Sequence, residues 1–107
     1  MNQPNIVSIP GLDEQSSKKI IELLKNTPEV EQIILFGSRA KGNYKNGSDI
    51  DICLVGESLT HDSITQLKLQ YDLLYLPWKI DLVVLHLIQE PTLVEHIKRV
   101  GKVLNYI

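Results

Sequence analysis

A chain of 107 residues supports one domain, and 43% hydrophobic with 22% charged residues is the balance of an ordinary soluble protein. Its net charge of −2 argues against long nucleic acid as a direct ligand, because affinity for the phosphate backbone rests on many Lys and Arg contacts. The single Cys53 excludes an intramolecular disulfide, Met1 to Pro10 lacks the pattern of a signal peptide, and no apolar run approaches the roughly 20 residues that span a bilayer; a cytoplasmic protein is expected.

Residues 1–12, with Pro4, Pro10 and Gly11, read as a loose lead-in, and 13–107 as a single domain. Asp13 is a candidate cap for a helix to about Asn26, with Ile20, Ile21, Leu23 and Leu24 as its apolar stripe. Thr27-Pro28 ends it. Val30 to Phe36 reads as a buried strand that Gly37 breaks. Ser38 caps a short helical turn closed by Gly42. Asn46-Gly47 marks a turn before a second strand, Asp49 to Val55.

Leu59 to Leu76 has helical periodicity, with Ile64, Leu67, Tyr71, Leu74 and Tyr75 on one face, and Pro77 stops it. Lys79 to Leu87 is the third expected strand. Pro91 opens a last helix through Val100, Gly101 ends it, and Val103, Leu104, Tyr106 and Ile107 form an extended apolar tail. This alternation implies a layered α/β fold. The short link between the first two strands suits a small mixed sheet flanked by helices better than a fully parallel one.

Strand residues alternate faces, so Asp49, Asp51 and Cys53 point one way and Ile50, Ile52 and Leu54 the other. The aliphatic face is a core face. Opposite it, two neighbouring carboxylates repel each other, and the strand offers no cation to neutralise them. Mg2+ is commonly held by one or two carboxylates together with substrate phosphates, so a metal-bound triphosphate accounts for the pair. A half-strand with its acids in water is the alternative.

Gly37 permits close backbone approach, the turn after it presents free N–H groups to an anion, and Ser38, Arg39 and Lys41 add a hydroxyl and positive charge. The alternative is a serine-capped strand-to-helix turn. The Gly-Lys-Ser/Thr ending of a P-loop is absent.

Asp81 lies in Ile80-Asp81-Leu82-Val83-Val84-Leu85, a run that otherwise reads as fully buried. A lone carboxylate is disfavoured there unless paired or metal-bound; a strand edge beside Lys79 is the alternative. A third acid beside the first two would complete a two-metal site and help draw the proton from an attacking hydroxyl. Elsewhere, Cys53 reads as a small buried hydrophobe. His61, His86 and His96 form no ligand pattern. Tyr75 and Trp78 are expected to pack at the strand entry, and Lys98, Arg99 and Lys102 form a solvated helix end.

Gly37-Ser38, ten residues, then Asp49-x-Asp51, with a further strand acid at Asp81, resembles the DNA polymerase β nucleotidyltransferase superfamily. The short chain and the wording Gly-Ser-Arg-Ala-Lys-Gly resemble its minimal nucleotidyltransferase (MNT) branch, over about residues 13 to 104. The resemblance implies a polymerase β-like palm, Gly37 and Ser38 on the triphosphate of ATP, Asp49 and Asp51 on two Mg2+ ions, and Asp81 on the catalytic one. Lys41 stands where many members carry arginine. It further implies an antitoxin that adds AMP to a tyrosine of a helical HEPN-type toxin in a hetero-oligomer. A small-molecule, aminoglycoside-type nucleotidyltransferase completed by a helical partner and a non-catalytic binding antitoxin are the alternatives.

Overall fold

The computed structural model of the chain describes residues 5–6 and 8–104. In chain order the elements are β1 (Asn5–Ile6), α1 (Glu14–Lys25), β2 (Gln32–Phe36), α2 (Gly37–Lys41), β3 (Ile50–Val55), α3 (His61–Asp72), β4 (Ile80–Val84), a 3-10 turn (Leu85–Leu87), α4 (Pro91–Val100) and β5 (Lys102–Leu104). They build one five-stranded mixed sheet in the order β1-β5-β2-β3-β4. The β2–β3 and β2–β5 pairs are antiparallel; β3–β4 and β1–β5 are parallel.

The larger core lies on one face of the sheet. Ile33 and Leu35 of β2, Ile50, Ile52 and Leu54 of β3, and Ile80, Leu82 and Val84 of β4 all point there, as strand alternation requires. Ile20, Ile21 and Leu24 of α1 and Leu67 and Tyr71 of α3 close over them. Asp13 caps α1 by accepting from the Ser16 N–H at 3.0 Å. Thr60 and Ser63 form a reciprocal capping box at the start of α3.

The opposite face is covered by α4 along only part of its length. Ile34, Cys53 and Val83 stand side by side in the register and pack beneath Leu93, Ile97 and Val100. The next row, Phe36, Asp51 and Asp81, lies at the end of the sheet where β2 runs into α2.

Several elements differ from the sequence reading. The lead-in is tied down at residues 9–12: Ile9 is 1% exposed and joins the core, and its N–H donates to the Ser17 hydroxyl. The tail contributes β5, a strand of three residues; Tyr106 and Ile107 lie outside the described residues. Helix α3 stops at Asp72, and the chain tightens into i→i+3 bonds through Tyr75 before Pro77, whose ring disfavours helix in the residue ahead of it. Tyr75 takes a left-handed conformation (φ 54°) and is 85% exposed, so neither the apolar face of α3 nor the strand entry holds it, whereas Trp78 packs on the core. Strand β4 ends at Val84, its last pair with β3 being Leu54–Val84, because the chain turns away into the 3-10 turn at Leu85–Leu87. His86 then donates from Nε2 to the Leu59 carbonyl oxygen at 3.1 Å.

Candidate functional site

Two acids share the open row and a third stands just before it. Asp51 and Asp81 are register partners on adjacent parallel strands, and Asp49, two residues before Asp51 and exposed, precedes β3 with the same parity. Asp51 is half-buried and Asp81 is exposed. Asp81 therefore takes the strand-edge alternative and not the buried position its neighbours suggest: β4 is an edge strand, and its Asp81 face is left uncovered.

Burial pushes the Asp51 carboxyl up to about 6, the charges of Asp81 and Asp49 push in the same direction, and the more distant Arg39 charge opposes them. The carboxylates thus sense one another. Among the described residues, however, no three His, Cys, Asp or Glu side chains are spaced to hold a single ion. The donor set still fits Mg2+, which needs only one or two carboxylates when phosphates supply other oxygens.

Gly37 faces this row. It has φ 74°, and a Cβ added there would overlap Oδ2 of Asp51. Glycine is needed twice over, for the left-handed backbone and for the carboxylate lying against it. Ser38 is half-buried in the first turn of α2, and Lys41 is exposed in its last turn. Gly42 closes α2 in a left-handed conformation, as its glycine suggested.

Arg39 departs from its expected place on the phosphates. It is 1% exposed, and it donates from NH1 to the Pro10 carbonyl at 2.7 Å and from NH2 to the Ser48 and Asn46 carbonyls at 2.9 and 3.4 Å. Its charge lies over the Tyr44 ring, 5.2 Å from the centroid. A guanidinium enclosed in this way is out of reach of a ligand.

Sequence reasoning missed Phe36 and His96, whose rings meet edge to face at 6.1 Å. An antiparallel β2–β3 pair centred on the link after Gly37 would have placed Phe36 opposite Asp51. Cys53, though it shares the parity of the acids, is buried beneath α4.

The chain matches the family described as Polymerase beta, Nucleotidyltransferase over residues 18–106. It is 39% identical over 64 residues to a Methanocaldococcus jannaschii protein named provisionally as a protein adenylyltransferase, covering 55% of this chain and 64% of that relative, a little under two thirds of its length. A chain of a mutant MntA toxin–antitoxin complex superposes with a TM-score of 0.69 at 33% identity, over 90% of this chain and 74% of that one. A chain of a toxin–antitoxin complex with AMP-PNP gives 0.67 at 31% identity, over 79% and 68%. One from a tri-AMPylated Shewanella oneidensis HEPN toxin bound to its MNT antitoxin gives 0.58 at 30% identity, over 79% and 65%. With a match that runs through nearly every element of the sheet and its flanking helices, this chain belongs to the polymerase beta nucleotidyltransferase family.

Proposed function

We propose that the chain transfers AMP from ATP to a tyrosine hydroxyl of a helical HEPN-type partner in the cytoplasm, and so acts as the antitoxin of that pair. The observation that carries the reading is the alignment of Asp51 with Asp81 on one open row, with Gly37 pressed against the Asp51 carboxylate. A turn suited to phosphate lying beside clustered acids supports this reading. The resemblance to complexes containing AMP-PNP and a tri-AMPylated HEPN toxin supports the nucleotide and the partner.

In this reading Asp49 and Asp51 hold the metal, Asp81 joins them at the acceptor side, and the Gly37-Ser38 turn orients the triphosphate. Mg2+ held by these carboxylates would offset the negative charge of the triphosphate and of the departing pyrophosphate. The acceptor oxygen attacks the α-phosphorus, the bond from that phosphorus to the bridging oxygen breaks, and pyrophosphate leaves. Asp81, exposed on the edge strand, takes the proton of the incoming hydroxyl. A tyrosine hydroxyl, with an ordinary pKa of about 10, needs that help at neutral pH.

Intact-mass spectrometry of the co-purifying helical partner after incubation with Mg·ATP tests this. The partner gains AMP with the parent chain, and with Asp81→Asn the transfer falls by about two orders of magnitude or more while the complex still forms. Equal modification by both forms removes Asp81 from the mechanism. A partner neutralised without modification by either form leaves a binding antitoxin.

A further inference from the structure

Arg39 contributes to the site without touching it. Its guanidinium bridges three chain segments: α2, on which it stands; Pro10 in the segment before α1; and Asn46 and Ser48 in the link that delivers Asp49 to the row of acids. The link carries no regular structure of its own between Gly42 and Ile50. Its internal bonds are Lys45 N–H to the Ser48 hydroxyl at 2.8 Å and Ser48 N–H to the Lys45 carbonyl at 3.0 Å. Its end is fixed from outside, by Arg39 at Ser48 and by the Ile50 N–H bond to the Lys79 carbonyl.

The arginine is held tightly. It is flanked by Tyr44 on one side and Gly11 on another, where an added Cβ would come within 2.5 Å of NH1 and 2.6 Å of the Tyr44 ring, and Gly11 itself has φ 89°. Its Nε has no hydrogen-bond partner among the described residues. A buried guanidinium neutralised by carbonyl dipoles and a π face, with a donor left over, is an expensive way to close a loop. A lysine would carry the charge but lacks the planar fork that reaches separate carbonyls.

We infer that Arg39 is the positioning residue of the nucleotide site, and that the segment Ile9–Leu12 is part of that site's architecture: through Arg39 it fixes the distance between the Gly37-Ser38 turn and Asp49. The inference rests on the nucleotide reading above. It makes a residue remote from the acids, Gly11, matter to ligand affinity. The stabilising role of a buried arginine alone does not require that.

Two measurements on the full chain test it, with R39K and G11A compared against L24A, a core truncation in α1 chosen to lower stability without approaching the link. The first is amide hydrogen exchange of residues 44–49, at a temperature where every variant is folded. Protection there is lost in R39K and G11A and kept in L24A. The second is Mg·ATP affinity by calorimetry at the same temperature. It weakens by about tenfold in R39K and G11A, the lower end of what loss of a group orienting a metal ligand costs, and is unchanged in L24A. Unchanged exchange in both hub variants overturns the inference, as does unchanged affinity in variants whose link has loosened. A parent chain that does not bind Mg·ATP overturns the nucleotide reading and the positioning role together, while the exchange pattern still reports whether Arg39 orders the link. If R39K fails to fold, G11A decides, because it leaves the arginine in place while crowding it and straining the segment that accepts its bond.

Discussion

Asp51→Asn should stabilise the unliganded protein at neutral pH. Burial, then the charges of Asp81 and Asp49, raise the Asp51 carboxyl from its ordinary 3.8 to about 6. A carboxyl whose folded value is raised binds a proton more tightly folded than unfolded, so stability falls as pH rises from about 4 to about 6, and the whole penalty is present above that window. Roughly two pKa units correspond to a ceiling of about 3 kcal/mol. Asp51 is only half-buried, and solvent screening brings the expected effect to about 1–2 kcal/mol. For a domain of this size that is a rise in melting temperature of about 4–12 °C. Thermal melts of parent and D51N at about pH 7.5 and about pH 4 provide the assay. The advantage of the variant is full at the higher pH and nearly gone at the lower. Added salt trims it only in part, because desolvation, the largest cause, is not screened as the Asp81 and Asp49 repulsions are. Mg·ATP stabilises the parent and not the variant. A D51N protein no more stable than the parent at neutral pH, or an advantage independent of pH, would show that the acids are not in conflict in the folded state.

Gly37→Ala combines a left-handed backbone with overlap on the Asp51 carboxylate; it should lower stability by about 1–3 kcal/mol in urea melts and abolish the Mg·ATP-induced shift, and a variant that keeps both would remove Gly37 from the site. Cys53, its thiol pushed up to about 11 by burial, should resist iodoacetamide at about pH 8 in the folded chain and react only as fast as the chain opens, measured by intact mass; rapid labelling of folded protein would contradict its place under α4.

The acid pair Asp49-x-Asp51 was legible because strand parity is a strict period of two: once Ile50, Ile52 and Leu54 are assigned to the core, the acids have only one other face to occupy. The same rule placed Cys53 beside them but could not say that α4 would cover it, since coverage is a tertiary fact. Asp81 shows the limit from the other side. Its flanking Ile80, Leu82 and Val84 are buried on the α1–α3 face, and Val83 packs under α4. The run reads as buried on both faces although the Asp81 position itself is open. The tail read as extended, but its place in the sheet as β5 did not show, because its pairing with Ile33, Ile34 and Leu35 is set by register and not by local preference. Arg39 reads differently in sequence because a cation beside a turn suited to phosphate suggests a ligand, whereas its actual acceptors, the carbonyls of Pro10, Asn46 and Ser48, belong to the backbone and leave no mark in residue identities.

The partial cover of the second sheet face explains why stability and chemistry conflict at one residue. Helix α4 has 10 residues, about 15 Å of length, and seats Leu93, Ile97 and Val100 over the Ile34, Cys53 and Val83 row. The next row along the strands is two residues further on, about 7 Å away. A helix shifted over that row would bury the carboxylates of Asp51 and Asp81 with no cation between them, at a penalty of several kcal/mol for each ion. Left open, the row keeps Asp81 and Asp49 in water, and the conflict is confined to Asp51, the member wedged between Phe36, Gly37 and Asp81. A cation held at the row would offset the Asp81 and Asp49 repulsions at that residue, although not its desolvation. The like-charge part of the penalty is therefore also what would draw a cation to the row, so that D51N should raise stability and weaken Mg·ATP binding together.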